Sequence, residues 1–264
     1  WSPDGKLIAF TSTTNAEDLA KQEKKKKAEE AKKAAAAATS PTEEKQKTAE
    51  PSAKKPEDES ERESDIHVVT RAIYRSNDEG YLDFKRPQHI WVIQAPRTAD
   101  EKIQPRQLTS GRFDEGNLVW TKDSTQLYFA SLHIDEPYYE RPKSDLYSVA
   151  VKGGAAVKIN SFDMDTGDFS LSPDGKQLAF IASTSEPINS YTQPDLWVVD
   201  LTPNAKPRNL TANFDWDIAN GVFGDNAAPR ASGGNVPIWT ADGSKHIELF
   251  GREGKSNLGF FDVA

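Results

Sequence analysis

One short string concentrates side chains that can hold a charged ligand: Asp135-Glu136-Pro137-Tyr138-Tyr139-Glu140-Arg141. A carboxylate binds an ammonium group through charge-assisted hydrogen bonds, and tyrosine rings can wall a pocket for the neighbouring side chain. Glu136, Tyr138, Tyr139 and Glu140 are therefore candidates for binding a ligand that carries an ammonium group. The same acids can instead pair internally, Glu140 with Arg141 or a nearby lysine, and the residues alone leave both readings open. Arg75 and Tyr81 are further candidates of this kind.

Chemistry that breaks bonds is missing from the chain. A serine hydrolase of the α/β type carries its nucleophile on a strained G-x-S-x-G elbow, and no such pentapeptide occurs. The nearest string, Gly254-Lys255-Ser256-Asn257-Leu258, lacks the final small residue and falls between two predicted strands. The histidines, His67, His89, His133 and His246, are scattered without H-E-x-x-H spacing and are expected as surface or strand residues, so no metal is called. Lys152-Gly153-Gly154 and Ser232-Gly233-Gly234-Asn235 lack the Walker lysine and a following helix, and read as turns. No catalytic residue and no cofactor is expected within the chain.

Bulk properties exclude further classes. The net charge of -8 comes from interleaved acids and bases, unlike the clustered Lys and Arg of a nucleic-acid footprint. No apolar run reaches the roughly 18 residues of a membrane span. The absence of cysteine excludes disulfides, thiolate metal sites and a Cys nucleophile, and fits cytoplasm and periplasm alike.

The elements that must position the candidate residues come from a repeat. WSPDGKLIAFTS (Trp1 to Ser12), WTKDSTQLYFAS (Trp120 to Ser131), LSPDGKQLAFIAS (Leu171 to Ser183) and WTADGSKHIELFGR (Trp239 to Arg252) share one pattern, a turn around Asp followed by a short apolar strand. Pro3 and Pro173 preset φ in the turn, and Gly5, Gly175 and Gly243 relieve the position after Asp. The turn Asp residues supply one carboxylate each, too few for calcium, and are read as hydrogen-bonding turn residues.

A second strand follows in each copy: His89 to Ile93, Asp145 to Val151, Asp195 to Leu201 and Leu258 to Ala264. Short third elements follow at Arg106 to Thr109, Val157 to Asn160 and Arg208 to Thr211. Many of these strands are apolar on both faces, which suits sheets stacked between neighbours. The fold class is all-β, a partial β-propeller of about three and a half four-stranded blades. Trp120, Trp197, Trp239 and Phe180 are assigned to packing between blades. Because the first residues lie inside the motif and the last inside a predicted strand, the chain reads as a fragment.

Connections between the paired strands run over residues 13 to 88, 132 to 144, 184 to 194 and 253 to 257, so the first carries an insertion. Residues 16 to 65 are almost only Lys, Glu, Ala, Ser, Thr, Pro and Gln. The first half holds strong helix formers without an apolar stripe, and the second, with Pro41, Pro51 and Pro56, is expected to be disordered. Val68, Ile73, Tyr74, Tyr81, Leu82 and Phe84 are then spaced as a hairpin around Asn77-Asp78-Glu79-Gly80, expected to project from the blade.

The W-S-P-D-G-x-x-I-A-F repeat resembles that of prolyl oligopeptidase relatives and of the Tol-system periplasmic propeller. YRSNDEGYLD, RPQHIWVI, RQLTSGRFDEGNLVW, YYERPKSDLYSVAVKGG and FDWDIANGVFGD are similar, in order, to the acylaminoacyl-peptidase and dipeptidyl-peptidase branch of the prolyl oligopeptidase family. This resemblance implies a parent serine peptidase whose propeller gates and selects peptide substrates, with a C-terminal α/β-hydrolase domain of the same polypeptide as partner. It also implies acidic side chains that hold the substrate's amino group, and favours the periplasm. The rival is a non-enzymatic propeller that binds partner proteins. Neither nucleic acid nor membrane is expected as a partner.

Overall fold

The computed structural model describes residues 1–38, 66, 68–77, 80–141, 143–184, 192–218 and 236–264. They form two compact units: Trp1–Thr13 with Asp83–Ala264, and Thr14–Leu82.

The first strand, β1 (Leu7–Ser12), belongs to the larger unit, and the chain then enters the smaller one. Here α1 (Ala16–Ala38) begins with a reciprocal cap: the Asp18 amide donates to Asn15 Oδ1 at 3.0 Å, and the Asn15 amide donates to Asp18 Oδ2 at 3.2 Å. Side chains 17 to 31 are exposed except for half-buried Asp18, as a helix without an apolar stripe must be. The proline-bearing stretch 39 to 65 lies outside the described residues. A hairpin follows where one was expected, β2 (Arg75–Ser76) with β3 (Gly80–Tyr81), with Gly80 paired to Ser76 as a strand residue. Asp78 and Glu79 of its turn lie outside the described residues.

The larger unit contains four antiparallel sheets. In the first, β4 (His89–Gln94) pairs with β1 from Leu7↔Gln94 to Ser12↔His89, and β5 (Arg106–Gln107) closes the outer edge. The second is a four-stranded blade, β6 (Glu115–Trp120), β7 (Gln126–Ser131), β8 (Asp145–Ala150) and β9 (Val157–Ser161), in sequential order. In the third, β10 (Met164–Thr166) and β11 (Ser170–Leu171) are two pieces of one interrupted inner strand. Both pair with β12 (Gln177–Thr184), which is followed by β13 (Asp195–Asp200) and β14 (Arg208–Asn209). The fourth holds β15 (Ile238–Trp239), β16 (Lys245–Arg252) and β17 (Lys255–Asp262).

The repeat turns are built as their chemistry demands. Ser2 Oγ donates to Asp4 Oδ1 at 2.7 Å, and the same oxygen accepts the Lys6 amide at 3.2 Å. Thr121 with Asp123, Ser172 with Asp174, and Thr240 with Asp242 repeat the hydroxyl contact at 2.6 Å. Hydrogen bonds led by Ser2 and by Thr240 hold Asp4 and Asp242 down to about 2. The residue after each Asp lies in the left-handed region: Gly5 at φ 70°, Gly175 at 75°, Gly243 at 72° and, without a glycine, Ser124 at 60°.

Each pair of adjacent sheets encloses a core. Ile90, Val92, Leu127, Phe129 and Val149 fill the first, with Trp120 packed against it. Leu146, Phe162, Phe169, Leu178 and Phe180 fill the second, flanked by Trp197. Ala179, Leu196, Val198 and Ile218 fill the third, flanked by Trp239, Phe250 and Phe261. The aromatic residues assigned to packing between blades are all in these layers. Radial stacking of small sheets around shared apolar layers is an all-β propeller sector.

Two features were not anticipated. The fourth connection is not residues 253 to 257: β17 begins at Lys255, and Glu253-Gly254 alone form the turn, at φ 51° and 73°. A two-residue turn with both φ positive matches strand twist, so pairing continues to Arg252↔Lys255 although Lys255-Ser256-Asn257 are polar. Ser256 is thus a strand residue just beyond a hairpin. In addition, β6 bulges between Gly116 and Val119, putting Asn117 at φ 53°. Its Nδ2 donates to Thr166 and Gly167 carbonyls, each at 2.9 Å, where the inner strand of the next blade is interrupted.

Candidate functional site

The connection between β7 and β8 holds four of the six candidate residues. At its start the Ser131 hydroxyl donates to the Asp114 carbonyl at 2.7 Å. The Tyr139 amide donates to the Glu136 carbonyl at 3.0 Å, closing a turn with Pro137 at its second position. That turn sets the Tyr138 and Tyr139 rings edge to face, 5.0 Å apart, and leaves them 66% and 77% exposed. Glu136 is half-buried and Glu140 exposed.

Beside this loop lies a cleft of about 520 Å³ lined by His133, Ile134, Glu140, Arg141, Lys143, Asp145 and Asp163. Two of its acids are neutralised by lysines: Lys143 lies 2.7 Å from Asp163, and Lys158 lies 2.7 Å from Asp145. Hydrogen bonding and charge from Lys143 hold the Asp163 carboxyl below its ordinary range. Glu140 makes no ion pair among the described residues, so the neighbouring Lys143 pairs with Asp163 and not with it. The cleft therefore presents a carboxylate able to take an incoming cation without first breaking a salt bridge. Glu136 does not line it.

The loop is anchored by a column of stacked groups. Arg112 lies over the Phe113 ring at 4.7 Å, and Phe113 stacks on His133 at 4.4 Å. Tyr147 follows at 5.1 Å, and Phe129 lies 5.5 Å beyond it. Arg112 also pairs with Asp135 at 2.8 Å, tying the column's outer end to the loop. Sequence reasoning missed that His133, Asp145 and Asp163 line the same cleft as Glu140. Asp145 belongs to a recognisable strand start, but nothing local announces that Asp163, beyond β9, comes back to the same place.

Arg75 and Tyr81 face each other across the β2–β3 hairpin, with the guanidinium 5.9 Å from the ring centre and Tyr74 6.2 Å from Tyr81. They belong to the smaller unit and form an arginine–tyrosine cluster within it. Of the histidines, His89 is buried 3.3 Å from Glu115, His246 is buried against Trp239 at 4.0 Å, and His67 lies outside the described residues. Among the described residues no three His, Asp or Glu side chains converge as metal ligands. No described helix is long and apolar enough to cross a membrane.

An open β-propeller sector with a charged cleft on one blade connection is the class of protein this geometry defines. Its family is the one described as "Dipeptidyl peptidase IV (DPP IV) N-terminal region", to which the chain belongs, the match running over residues 30–189. This agrees with the prolyl oligopeptidase-type propeller expected from the repeat, and no α/β-hydrolase domain is present among the described residues. No curated protein matches the chain.

Solved structures with a similar arrangement include TolB from Acinetobacter baumannii, at 20% identity and TM-score 0.45, covering 67% of this chain and 35% of that one. An oligogalacturonate lyase in complex with manganese matches at 15% identity and TM-score 0.47, covering 66% of this chain and 41% of its own. A puromycin hydrolase mutant complexed with PGG matches at 18% identity and TM-score 0.48, covering 65% and 25%. The chain thus spans less than half the length of these structures.

Proposed function

We propose that this chain is the substrate-gating and substrate-selecting propeller of a serine peptidase of dipeptidyl or acylaminoacyl type, whose catalytic α/β-hydrolase domain is supplied by the parent polypeptide. In this reading Glu140 receives the amino terminus of the peptide, Glu136 supports the loop, and Tyr138 and Tyr139 flank the first side chain. The observation that carries it is the unpaired Glu140 carboxylate in a cleft whose other acids are matched by lysines, in a chain of the dipeptidyl peptidase IV N-terminal region family. The periplasm is the compartment that goes with this reading, and cell fractionation tests it.

The test is made in the parent polypeptide with Glu140→Gln. A hydrogen bond to a charged group is worth roughly 1.5 to 3 kcal/mol, so kcat/KM on free-amine peptides is expected to fall about 10- to 150-fold. N-acylated peptides carry no ammonium and are expected to lose little. Equal losses on both substrates, or none on either, would return Glu140 to an ordinary surface acid.

A further inference from the structure

Consecutive residues ahead of and within β6 fasten the start of the β7–β8 connection, each in its own way. Arg112 pairs with Asp135, Phe113 stacks on His133, the Asp114 carbonyl accepts the Ser131 hydroxyl, and Glu115 stands opposite Ser131 in the β6–β7 ladder. Arg112, Phe113 and Asp114 are exposed or half-buried, whereas Glu115 is buried.

What the Glu115 side chain reaches is the first blade. Its Oε2 accepts the Thr109 hydroxyl in a close contact, accepts the Ile90 amide at 3.3 Å and lies 3.3 Å from His89 Nδ1. The backbone takes the same path: the Glu115 amide donates to the Gln88 carbonyl at 3.0 Å, and the Gln88 amide donates to Asp114 Oδ1 at 2.6 Å. The next two blades meet the same need internally. Asp145 and Asp195, which open β8 and β13 as His89 opens β4, accept the hydroxyls of Ser161 and Thr211 in their own blades, at 2.7 and 2.8 Å. Thr109 and Thr211 occupy equivalent places, since each hydroxyl oxygen accepts the amide of the second residue of that strand, Ile90 or Leu196, at 2.9 Å. With His89 where the others have Asp, Thr109 finds its carboxylate in the neighbouring blade.

We propose that Glu115 is a positioning residue of the β7–β8 connection: by supplying the carboxylate that His89 does not, it clamps residues 112 to 115, and through them Ser131, His133 and Asp135, to the first blade. The clamp sets how the connection leaves β7 whatever the cleft takes, so the inference does not rest on the peptide-amine reading. Cutting the clamp leaves the apolar layer between the first two sheets in place, with Ile90, Val92, Leu127 and Phe129 untouched. The connection is therefore expected to loosen while the sheets stay folded.

Two NMR signals read the connection: hydrogen exchange of the Tyr139 amide, which closes its turn on the Glu136 carbonyl, and the His133 ring-proton shifts, which report the Phe113 stack. They are followed, with urea midpoints, in the parent chain, Glu115→Ala, His89→Asp, the double variant and Asp195→Ala. Glu115→Ala is expected to speed Tyr139 exchange about 10-fold and to move the His133 shifts towards those of an unstacked imidazole. Asp195→Ala cuts the corresponding bonds of the third blade, and is expected to lower the midpoint and leave both signals unchanged. His89→Asp is expected to lower the midpoint of the parent, where it faces the Glu115 carboxylate, and to raise that of Glu115→Ala by giving Thr109 an acceptor within its own blade. It is not expected to restore the two signals, because that bond no longer crosses to the second blade. Glu115→Gln keeps the side-chain volume and gives the same readout if Glu115→Ala does not fold. Signals that stay at parent values in a folded Glu115 variant, that move equally in Asp195→Ala, or that His89→Asp restores would each overturn the positioning role. A midpoint that His89→Asp lowers in both backgrounds would overturn the supplied carboxylate.

Discussion

Replacing Glu248 by glutamine is expected to stabilise the protein at alkaline pH and not at acid pH. Glu248 and His246 are neighbours on one face of β16, 4% and 0% exposed, and enclosed between the third and fourth sheets. Their closest approach, His246 Nδ1 to Glu248 Oε1, is 3.6 Å, too long for a hydrogen bond. Both His246 nitrogens and Glu248 Oε1 lack partners. The Ile238 amide donates to the Glu248 carboxylate, but burial outweighs it and pushes Glu248 from 4.5 up to about 7. Burial pushes His246 from 6.5 down to about 4. Each is therefore held towards its neutral form.

For Glu248 the folded value lies above the unfolded one, so its contribution is fully present below about pH 4.5 and is lost as pH rises through about 7. At roughly 1.4 kcal/mol per pH unit, the rise amounts to about 3 kcal/mol as an upper bound. His246 acts in the opposite direction, losing stability as pH falls from 6.5 towards 4, but it is common to both proteins and cancels in the difference. Urea unfolding from pH 4.5 to 8.5 gives the difference directly from midpoints and slopes. The two proteins are expected to match near pH 4.5, and Glu248→Gln to lead by about 1 to 3 kcal/mol at pH 8.5. A gap that does not change with pH would refute the reasoning. So would a variant weaker than the parent at pH 6, because that would mean a charged His246–Glu248 pair.

Deleting residues 16 to 65 is expected to shift the melting midpoint by less than about 8 °C, because exposed charged chain has no apolar face to lose and loop closure costs grow slowly; calorimetry checks it. A fluorophosphonate probe is expected to leave Ser256 unlabelled, since it sits on β17 beside a hairpin turn and not on a nucleophile elbow; mass spectrometry of the treated chain reads this out. Asn117→Ala removes two 2.9 Å hydrogen bonds and places a Cβ-bearing apolar residue at φ 53°, so a loss of about 1 to 3 kcal/mol in urea unfolding is expected.

The repeat, the turns and most strand pairs were legible in the sequence because their causes are local. A hydroxyl, an Asp two residues on and a residue that tolerates positive φ make the same turn in all four copies, with Ser124 filling the glycine position in one. Apolar residues on both faces of Leu127 to Ala130 or Leu178 to Ala182 demand neighbours on both sides, which is the physical content of a propeller. The composition of the insertion allowed a helix in its first half, and the structure has α1 there, over Ala16–Ala38. The last hairpin was misplaced because its cause, two residues at positive φ, is a backbone property that Glu253 does not advertise.

What only the tertiary structure decided is which side chains meet across blades. Glu140 was visible as a candidate, but that Lys143 pairs with Asp163, a residue of a later connection, and not with Glu140 was not. His133 read as a scattered histidine until Phe113 and Tyr147, from different strands and turns, closed on its ring. Nothing in the sequence marked Asn117, whose side-chain amide reaches the Thr166 and Gly167 carbonyls of the next blade. His246 was expected as a surface or strand histidine, and it and Glu248 are buried because they share the face of β16 that packs toward the third sheet. Turn chemistry and strand patterning act over a few residues and are written in the order of the chain. Desolvation and charge pairing depend on what packs within a few ångströms, and in a propeller those neighbours come from sheets whose sequences lie tens of residues away.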